Sequence, residues 1–265
     1  MNLRIFAAML AVGVLAGCST VPETGRHQVM LVSPSEEAQM GLSAFDQIKK
    51  EEKVSQDPAA NAQVQRVGRR IAQSVGRDIP NARWEFVVFD SPQVNAFALP
   101  GGKVGVYTGL LKLVSSDDEL AAVMGHEIAH VSSRHGAERT SQNYLVAGGA
   151  ALAQIGMDMK QVDPSKRAAI MSAYGLAANL GALLPYSRLH ESEADRIGLR
   201  FAAGAGYDPR AAVTFWKKMA AKSANQGKPP VWLSTHPSDQ QRIRNLEELA
   251  PQYMATYEQA RQKYQ

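Results

Sequence analysis

One stretch of the chain predicts its central helix: it reads SDDELAAVMGHEIAHV and covers residues 116–131. Ser116, followed three residues later by Glu119, forms a capping box, a pattern typical of a helix start. Leu120, Met124 and Ile128 then recur every four residues, which indicates one apolar face. We therefore predict an amphipathic helix that begins at Ser116 and buries this face in a hydrophobic core.

Two histidines occupy a different face of the same helix. His126 and His130 are four residues apart, so their side chains lie about 40° apart around the helix and can bind one metal ion together. Glu127 can act as a general base toward a water molecule on that ion. The alternative is two hydrogen-bonded histidines on a buried helix, but the H-E-x-x-H spacing favours a hydrolytic metal site.

A catalytic zinc ion usually has three protein ligands and one open position, so another element must supply a third ligand. The best candidate is Glu191, with Asp195 four residues later on the same helical face. Asp195 would accept a hydrogen bond from the free ring nitrogen of a ligand histidine. We interpret Glu193 as a solvated or ion-paired charge. Taken alone, the segment is also compatible with an ordinary acidic helix surface.

The β-strand signals are few and lie together. Residues 84–89 are aromatic and β-branched, and residues 95–99 and 104–107 flank a Pro-Gly-Gly turn, which predicts a hairpin. Helices are predicted for residues 35–53, 57–75, 145–157, 168–184 and 190–203, and two more are predicted to begin after Asp208 and at Ser238. The helix at 145–157 is expected to pack on the core. Residues 158–166 and 222–228 are predicted loops. The predicted fold class is mainly α with a small β-sheet (α+β).

The N-terminus has the pattern of an export signal. Arg4 precedes an apolar run over residues 5–15, which is too short to span a bilayer comfortably. The run ends in Leu-Ala-Gly-Cys18, which resembles the lipobox of bacterial lipoproteins, and Cys18 is the only cysteine. That resemblance implies acyl chains on Cys18 and, with Ser19 next, an outer-membrane destination. The alternatives are an ordinary signal peptide with an unrelated cysteine, or an inserted helix.

These features predict three segments: a lipoprotein signal peptide at residues 1–17, a lipidated flexible tether at residues 18–34, and one metallopeptidase domain at residues 35–265. A formal net charge of +4 is too small to indicate a nucleic-acid partner. A single cysteine excludes a disulfide within the chain, so stability must come from the core and from any bound metal.

Several blocks together resemble a known group of enzymes. After H-E-x-x-H come SRLHESEAD at residues 187–195, GYDP at 206–209 and THP at 235–237, with NAFALPGG at 95–102 and TGLL at 108–111 before it. In this order they resemble the gluzincin branch of the CAAX-type and Oma-type peptidases, and within it the periplasmic metalloproteases that assist quality control of outer-membrane proteins. The resemblance covers about residues 28–246 and implies a minimal gluzincin core.

By that resemblance His126, His130 and Glu191 are the ligands of one zinc ion per chain, and Glu127 is the catalytic base. Members of the group with several membrane spans or tetratricopeptide repeats differ from this sequence, in which we recognise neither. His236 in the Thr-His-Pro block is expected beside the metal. It would either occupy the open position and repress the enzyme, which we favour, or donate a hydrogen bond to the transition-state oxyanion.

The expected activity is therefore zinc-dependent cleavage of misfolded or stalled envelope proteins by a protease anchored to the periplasmic face of the outer membrane. Asn95, Ala96 and Phe97 are expected to offer a sheet edge to which an extended substrate adds as a strand. The outer-membrane assembly machinery is a possible partner. Two other functions stay open from the residues: a chaperone-like binding lipoprotein with a repressed zinc site, and a zinc amidase acting on cell-wall peptides.

Overall fold

The computed structural model describes residues 18–178, 184–226, 232, 233, 236 and 240–264. The predicted signal peptide and the predicted helix start at Ser238 lie outside these residues. Two compact units are formed: one contains the described residues up to Ser33 together with Arg134–His190, and the other contains Pro34–Ser133 with the described part of Glu191–Gln265. The single peptidase domain over residues 35–265 stays a prediction.

Helices dominate the described part of the chain, which confirms the predicted fold class. They are α1 Pro34–Glu51, α2 Pro58–Val75, α3 Thr108–Leu111, α4 Asp117–Ser132, α5 His135–Met159, α6 Pro164–Ala178, α7 Leu184–Gly204, α8 Ala211–Gln226, α9 Gln240–Leu249 and α10 Met254–Arg261. Searching the described residues finds no helix with the length and hydrophobicity needed to cross a membrane.

The strands form two small sheets. β1 (Cys18–Thr20) pairs antiparallel with β2 (His27–Val29). β3 (Glu85–Phe89), β4 (Ala96–Leu99) and β5 (Lys103–Tyr107) form a second sheet in the order β3-β5-β4. β5 runs parallel to β3 and antiparallel to β4, so the predicted hairpin is confirmed and β4 is an edge strand. Gly101 and Gly102 both have positive φ in the hairpin turn, a conformation that glycine adopts without strain.

The core of the larger unit lies where α4 packs on β4, α2 and α8. Leu120, Met124 and Ile128 are fully buried, as their spacing predicted. Beside them Phe45, Phe89 and Tyr107 form an aromatic cluster. Burial of such side chains stabilises the fold by about 1.5–3 kcal/mol each, and it fixes α4 against the sheet.

In the smaller unit the β1–β2 hairpin is held to α5 by buried polar contacts. The Arg26 guanidinium donates two hydrogen bonds of 2.8 Å to Glu138, and the Gln28 amide donates a third of 3.0 Å. Burial raises the pKa of Glu138, but His190 at 2.9 Å and Arg26 outweigh it and lower the pKa to about 2. His190 also stacks on His135 with ring centres 4.2 Å apart. Both histidines are buried and pack inside the smaller unit.

Four sequence predictions differ from the structure. Residues 20–33 are not an unstructured tether, because the contacts to Glu138 order them. Residues 145–157 are helical but mostly exposed rather than packed on the core. The predicted loop at 158–166 shrinks to residues 160–163 between α5 and α6, and α8 continues to Gln226 through the first part of the predicted loop at 222–228. In the two loop predictions, polar or small residues suggested a break that helix hydrogen bonding overrides.

Candidate metal centre

Helix α4 presents the histidine pair from a well-fixed start. The Ser116 hydroxyl accepts a hydrogen bond of 3.2 Å from the backbone N–H of Glu119. The Glu119 carboxylate accepts one of 2.7 Å from the N–H of Ser115, and Lys218 pairs with the same carboxylate at 2.7 Å. The capping box is therefore present, with its glutamate reaching one residue further back than the standard pattern.

A glycine contact brings the second set of functional residues to the first. A Cβ atom on Gly125 would lie 2.8 Å from the carbonyl oxygen of Gly198, and one on Gly198 would lie 2.8 Å from the backbone nitrogen of His126. Only glycine permits backbones to approach this closely. The part of α7 that begins at Glu191 therefore crosses α4 directly beside the first histidine.

Four potential ligands converge at this crossing. His126, His130, Glu191 and His236 each offer one donor atom, and these atoms all lie within 4.8 Å of one another. The Nε2 atoms of His126 and His130 are 3.1 Å apart. Glu191 lies 3.3 Å from each of these two nitrogens, through Oε2 and Oε1 respectively.

These separations fit a zinc ion. Three donors that bind zinc tetrahedrally at about 2.0–2.1 Å lie about 3.3–3.4 Å from one another, close to the 3.1 and 3.3 Å observed. Imidazole and carboxylate are also ligands that zinc prefers. The buried carboxylates of Glu127, Glu191 and Asp195 surround one buried guanidinium, that of Arg242, so a divalent cation would balance the local charge.

The groups behind the ligands orient them. Asp195 Oδ1 lies 3.0 Å from His126 Nδ1, which places the ring proton on Nδ1 and directs Nε2 toward the other donors. Arg242 donates two hydrogen bonds of 2.7 Å to Asp195 and lies 2.9 Å from Glu191 through Nη1. Its guanidinium also lies 3.6 Å from the centre of the Trp216 ring. This ion pair fixes both acidic residues of α7.

Electrostatics keep Glu191 ionised. Burial raises its pKa, but hydrogen bonds with His126, His130 and His236 outweigh burial and hold the pKa well below its usual range. For His126, burial lowers the pKa, whereas Asp195 and Glu191 raise it, to about 9. The negative charges of Asp195 and Glu191 thus stabilise positive charge at the His126 ring, and a bound cation would be attracted by the same two carboxylates.

Glu127 and His236 complete the cluster. The Trp232 indole N–H donates a hydrogen bond of 2.7 Å to Glu127 Oε1, which leaves Oε2 without a hydrogen bond from the indole. His236 Nδ1 lies 3.2 Å from His126 Nε2 and 3.1 Å from both oxygens of Glu191. His236 therefore lies among the donor atoms, beside the metal site as the resemblance implied.

All six residues predicted for the centre meet at one place, although their individual roles stay predictions. They are Glu127, His236, His126, His130, Glu191 and Asp195. Glu193 is buried rather than solvated, which corrects one of its two interpretations. Sequence reasoning missed Arg242, Trp232 and Trp216. Arg242 had a readable signal, because it shares the buried face of α9 with Leu246 and Leu249, and an arginine on an apolar face usually has a buried acidic partner.

The predicted substrate edge lies beside α4. β4 lies at the end of the sheet, so among the described residues no strand pairs with its other side. Ala96 is buried, and Phe97 packs its ring on Phe45, Phe89 and Tyr107, so its side chain faces the core. Only the backbone of residues 95–97 is then suited to pairing with another strand.

Comparison with known proteins decides the family. A model of peptidase family M48 matches residues 58–250. The chain belongs to peptidase family M48. Members of this family are zinc metallopeptidases. The matched region contains all six residues of the centre and all three strands of the larger sheet.

Relatives of this M48 chain include two kinds of protease. It is 36% identical over 254 residues to the mitochondrial metalloendopeptidase OMA1 of Schizosaccharomyces pombe, covering 94% of this chain and 72% of the relative. It is 31% identical over 234 residues to the putative beta-barrel assembly-enhancing protease of Vibrio cholerae, covering 88% and 48%. Against the beta-barrel assembly-enhancing protease of Escherichia coli the identity is 29% over 237 residues, covering 88% and 47%. The chain thus spans about half the length of the two bacterial relatives.

Proposed function

We propose that this M48 chain is a zinc endopeptidase in which His126, His130 and Glu191 hold the metal and Glu127 is the general base. The observation that carries the proposal is the convergence of the donor atoms within 4.8 Å of one another. A bound zinc ion would polarise a substrate carbonyl and make a water molecule more acidic.

The residues around the metal would transfer the proton and hold the ligands in position. Glu127 is almost fully buried, and the Trp232 indole holds one of its two oxygens. Its carboxylate would take the proton of the attacking water and return it to the leaving amine. Asp195 and Arg242 would keep His126 and Glu191 in place during both transfers. A fixed base of this kind typically contributes about 10²–10⁴-fold to the rate.

The edge strand suggests the class of substrate. Pairing along the backbone of Asn95, Ala96 and Phe97 would require an extended chain and would read little side-chain sequence. We therefore infer that unfolded or misassembled proteins are the substrates. The names of the bacterial relatives support envelope proteins and a link to the outer-membrane assembly machinery. No observation favours the chaperone-like alternative.

Cleavage of unfolded casein by the purified chain tests the proposal. We expect hydrolysis in the presence of zinc, a loss of at least about a hundredfold after a chelator removes the metal, and recovery when zinc is added back. Mass spectrometry of the products would locate the cut bonds. A rate that is unaffected by chelation would contradict zinc-dependent peptidase activity.

One short segment contacts three parts of the proposed site at once. The backbone N–H of Trp232 lies 3.4 Å from the carbonyl oxygen of Val94, next to the substrate edge. The Trp232 indole binds Glu127, and His236 lies among the metal ligands. The N–H of His236 also donates to the Trp232 carbonyl at 2.9 Å, which couples the two residues. These contacts support repression, in which His236 fills the position that a substrate or water would use.

Replacing His236 with alanine separates repression from catalysis. If His236 represses, the initial rate on casein at saturating zinc should rise, because the fourth position opens. If it stabilises the oxyanion instead, the rate should fall by about a hundredfold or more. His27→Ala, at an exposed histidine of β2, is the control and should leave the rate unchanged. A folded His236→Ala variant slower than the parent would contradict repression.

The position of the chain in the cell is a further part of the proposal. The Leu-Ala-Gly-Cys18 pattern supports export, cleavage of residues 1–17 and acylation of Cys18. Several acyl chains on one residue hold a protein stably to a bilayer. We place the peptidase on the periplasmic face of the outer membrane, where misassembled envelope proteins occur.

A further inference from the structure

The helical hairpin α5–α6 carries an apolar face that the fold leaves uncovered. Four large apolar side chains of α5 lie on it with 43 to 82% of their surface exposed: Leu145, Leu152, Ile155 and Met159. On α6, Ile170 and Leu176 are also exposed, about 120° apart around that helix. The four residues on α5 follow one another at intervals of seven, three and four, which places them on one side of the helix. Soluble proteins rarely expose large contiguous apolar patches without a binding role.

This face is separate from the seam that holds the hairpin together. The Tyr174 hydroxyl of α6 donates a hydrogen bond of 2.9 Å to the Val146 carbonyl of α5. A Cβ atom on Gly149 would lie only 2.3 Å from the same hydroxyl oxygen. The hairpin therefore packs through the Val146–Gly149 side of α5. At 100° per residue, Leu152, Ile155 and Met159 lie about 60–120° around α5 from Gly149, so this face lies beside the seam and stays exposed.

The proposed anchor lies in the same compact unit as this face. Cys18 belongs to β1 and pairs in register with Val29 of β2. Beyond β2, the backbone N–H of Leu31 donates a hydrogen bond of 2.8 Å to the Ser141 hydroxyl of α5. This hydrogen bond and the contacts of Arg26 and Gln28 with Glu138 hold the residues that follow Cys18 against α5. An acylated Cys18 would thus hold the hairpin at a membrane surface with no long tether between them.

The charges around the face suit a phospholipid surface. Residues 140–157 and 168–178 contain no charged side chain, and the basic residues Arg139, Lys160, Lys166 and Arg167 outnumber the acidic residues Asp158 and Asp163 at the borders of these two stretches. Apolar side chains flanked by lysine and arginine are the pattern of helices that lie in the membrane interface. Cations near anionic headgroups add attraction.

We propose that the apolar face of α5–α6 docks on the surface of the bilayer to which Cys18 is anchored, with Leu145, Leu152, Ile155 and Met159 entering the interface. The inference rests on the proposed lipid anchor. Docking would hold the smaller unit in a fixed orientation on the membrane, so that the acyl chains and the hairpin attach the peptidase at two points.

Site-specific fluorescence in the anchored, full-length chain tests the docking. Acylation consumes the thiol of Cys18, the only cysteine, so a new cysteine can be labelled alone. Leu152→Cys and Gln154→Cys would each carry a bimane fluorophore in vesicles of phosphatidylethanolamine and phosphatidylglycerol containing a spin-labelled lipid. Gln154 is exposed on the opposite side of α5. We expect severalfold stronger quenching at Leu152 than at Gln154. Equal, weak quenching at both positions in a membrane-bound chain would overturn the docking and leave the anchor intact.

Fatty-acid labelling of the parent and of Cys18→Ala tests the anchor separately. If the parent takes up no label, the anchor is wrong, and the unacylated chain can be mixed with the same vesicles. If the face docks, the unacylated chain should still bind these vesicles, and the double change Leu152→Glu with Ile155→Glu should weaken that binding by at least about tenfold. Burial of one such side chain contributes about a tenfold change in the binding constant or more. The matched pair Ala147→Glu with Gln154→Glu, on the other side of α5, should bind like the parent. Cross-linking of Leu152→Cys between two chains, without lipid quenching, would assign the face to self-association and overturn the proposal.

Discussion

Replacing Glu127 with glutamine is expected to abolish peptide cleavage while the metal stays bound. The amide has nearly the same shape as the carboxylate, and its oxygen can still accept the indole N–H of Trp232, now 2.7 Å from Oε1. It cannot take a proton from water, so a loss of about 10²–10⁴-fold is expected. Initial rates on casein, with the melting temperature as a check of folding, measure it.

A matched change shows whether the effect belongs to the base. Glu248 is an exposed glutamate of α9, and Glu248→Gln removes the same charge without touching the centre. This control should cleave casein at the parental rate. A Glu127→Gln enzyme that cleaves as fast as the control would show that another group is the base.

Replacing Arg242 with methionine is expected to produce the largest loss of stability among the residues of the centre. The guanidinium is 7% exposed and pairs with Asp195 and Glu191. Its removal leaves two buried carboxylates without this cation, and breaking a buried pair in this way typically costs about 3–5 kcal/mol. Urea unfolding of the metal-free protein measures this free energy.

Two comparisons locate the origin of that loss. Arg244→Met, at an exposed arginine two residues away on α9, should change stability by less than about 0.5 kcal/mol. Removing the partner as well, in Asp195→Asn with Arg242→Met, should cost less than the sum of the single changes, because the pair is coupled. Additive losses would mean that the ion pair is not what Arg242 contributes.

Local sequence rules predicted the central helix and its histidine-bearing face well. Ser116, the apolar repeat and H-E-x-x-H all act within one helix, where spacing translates directly into geometry. The edge strand was predicted for a similar reason, since the Pro-Gly-Gly turn fixes its hairpin with β5. The meeting of Glu191 with His126, by contrast, depends on the close crossing at Gly125 and Gly198. No spacing in the sequence encodes such a contact; the residues made Glu191 a candidate for the third ligand, and the family resemblance then supported it.

The misses have a common physical cause. Arg26 and Gln28 look like parts of a solvated tether until Glu138, more than a hundred residues later, is placed beside them. Residues 145–157 look like core because they are apolar, and composition alone does not tell a buried face from an exposed one. Trp232 and Arg242 likewise acquire their roles only through partners distant in sequence. Long-range partners decide these features, and one sequence without its structure does not show them.

Zinc content per chain tests the central claim most directly. The purified parent, Glu127→Gln and Glu191→Ala would be dialysed against the same low, buffered concentration of free zinc and analysed by atomic emission. The parent and Glu127→Gln should each hold about one ion, because all three ligands remain. Glu191→Ala should hold far less, because it loses one of three protein ligands. Full occupancy in a folded Glu191→Ala protein would contradict the site built from His126, His130 and Glu191.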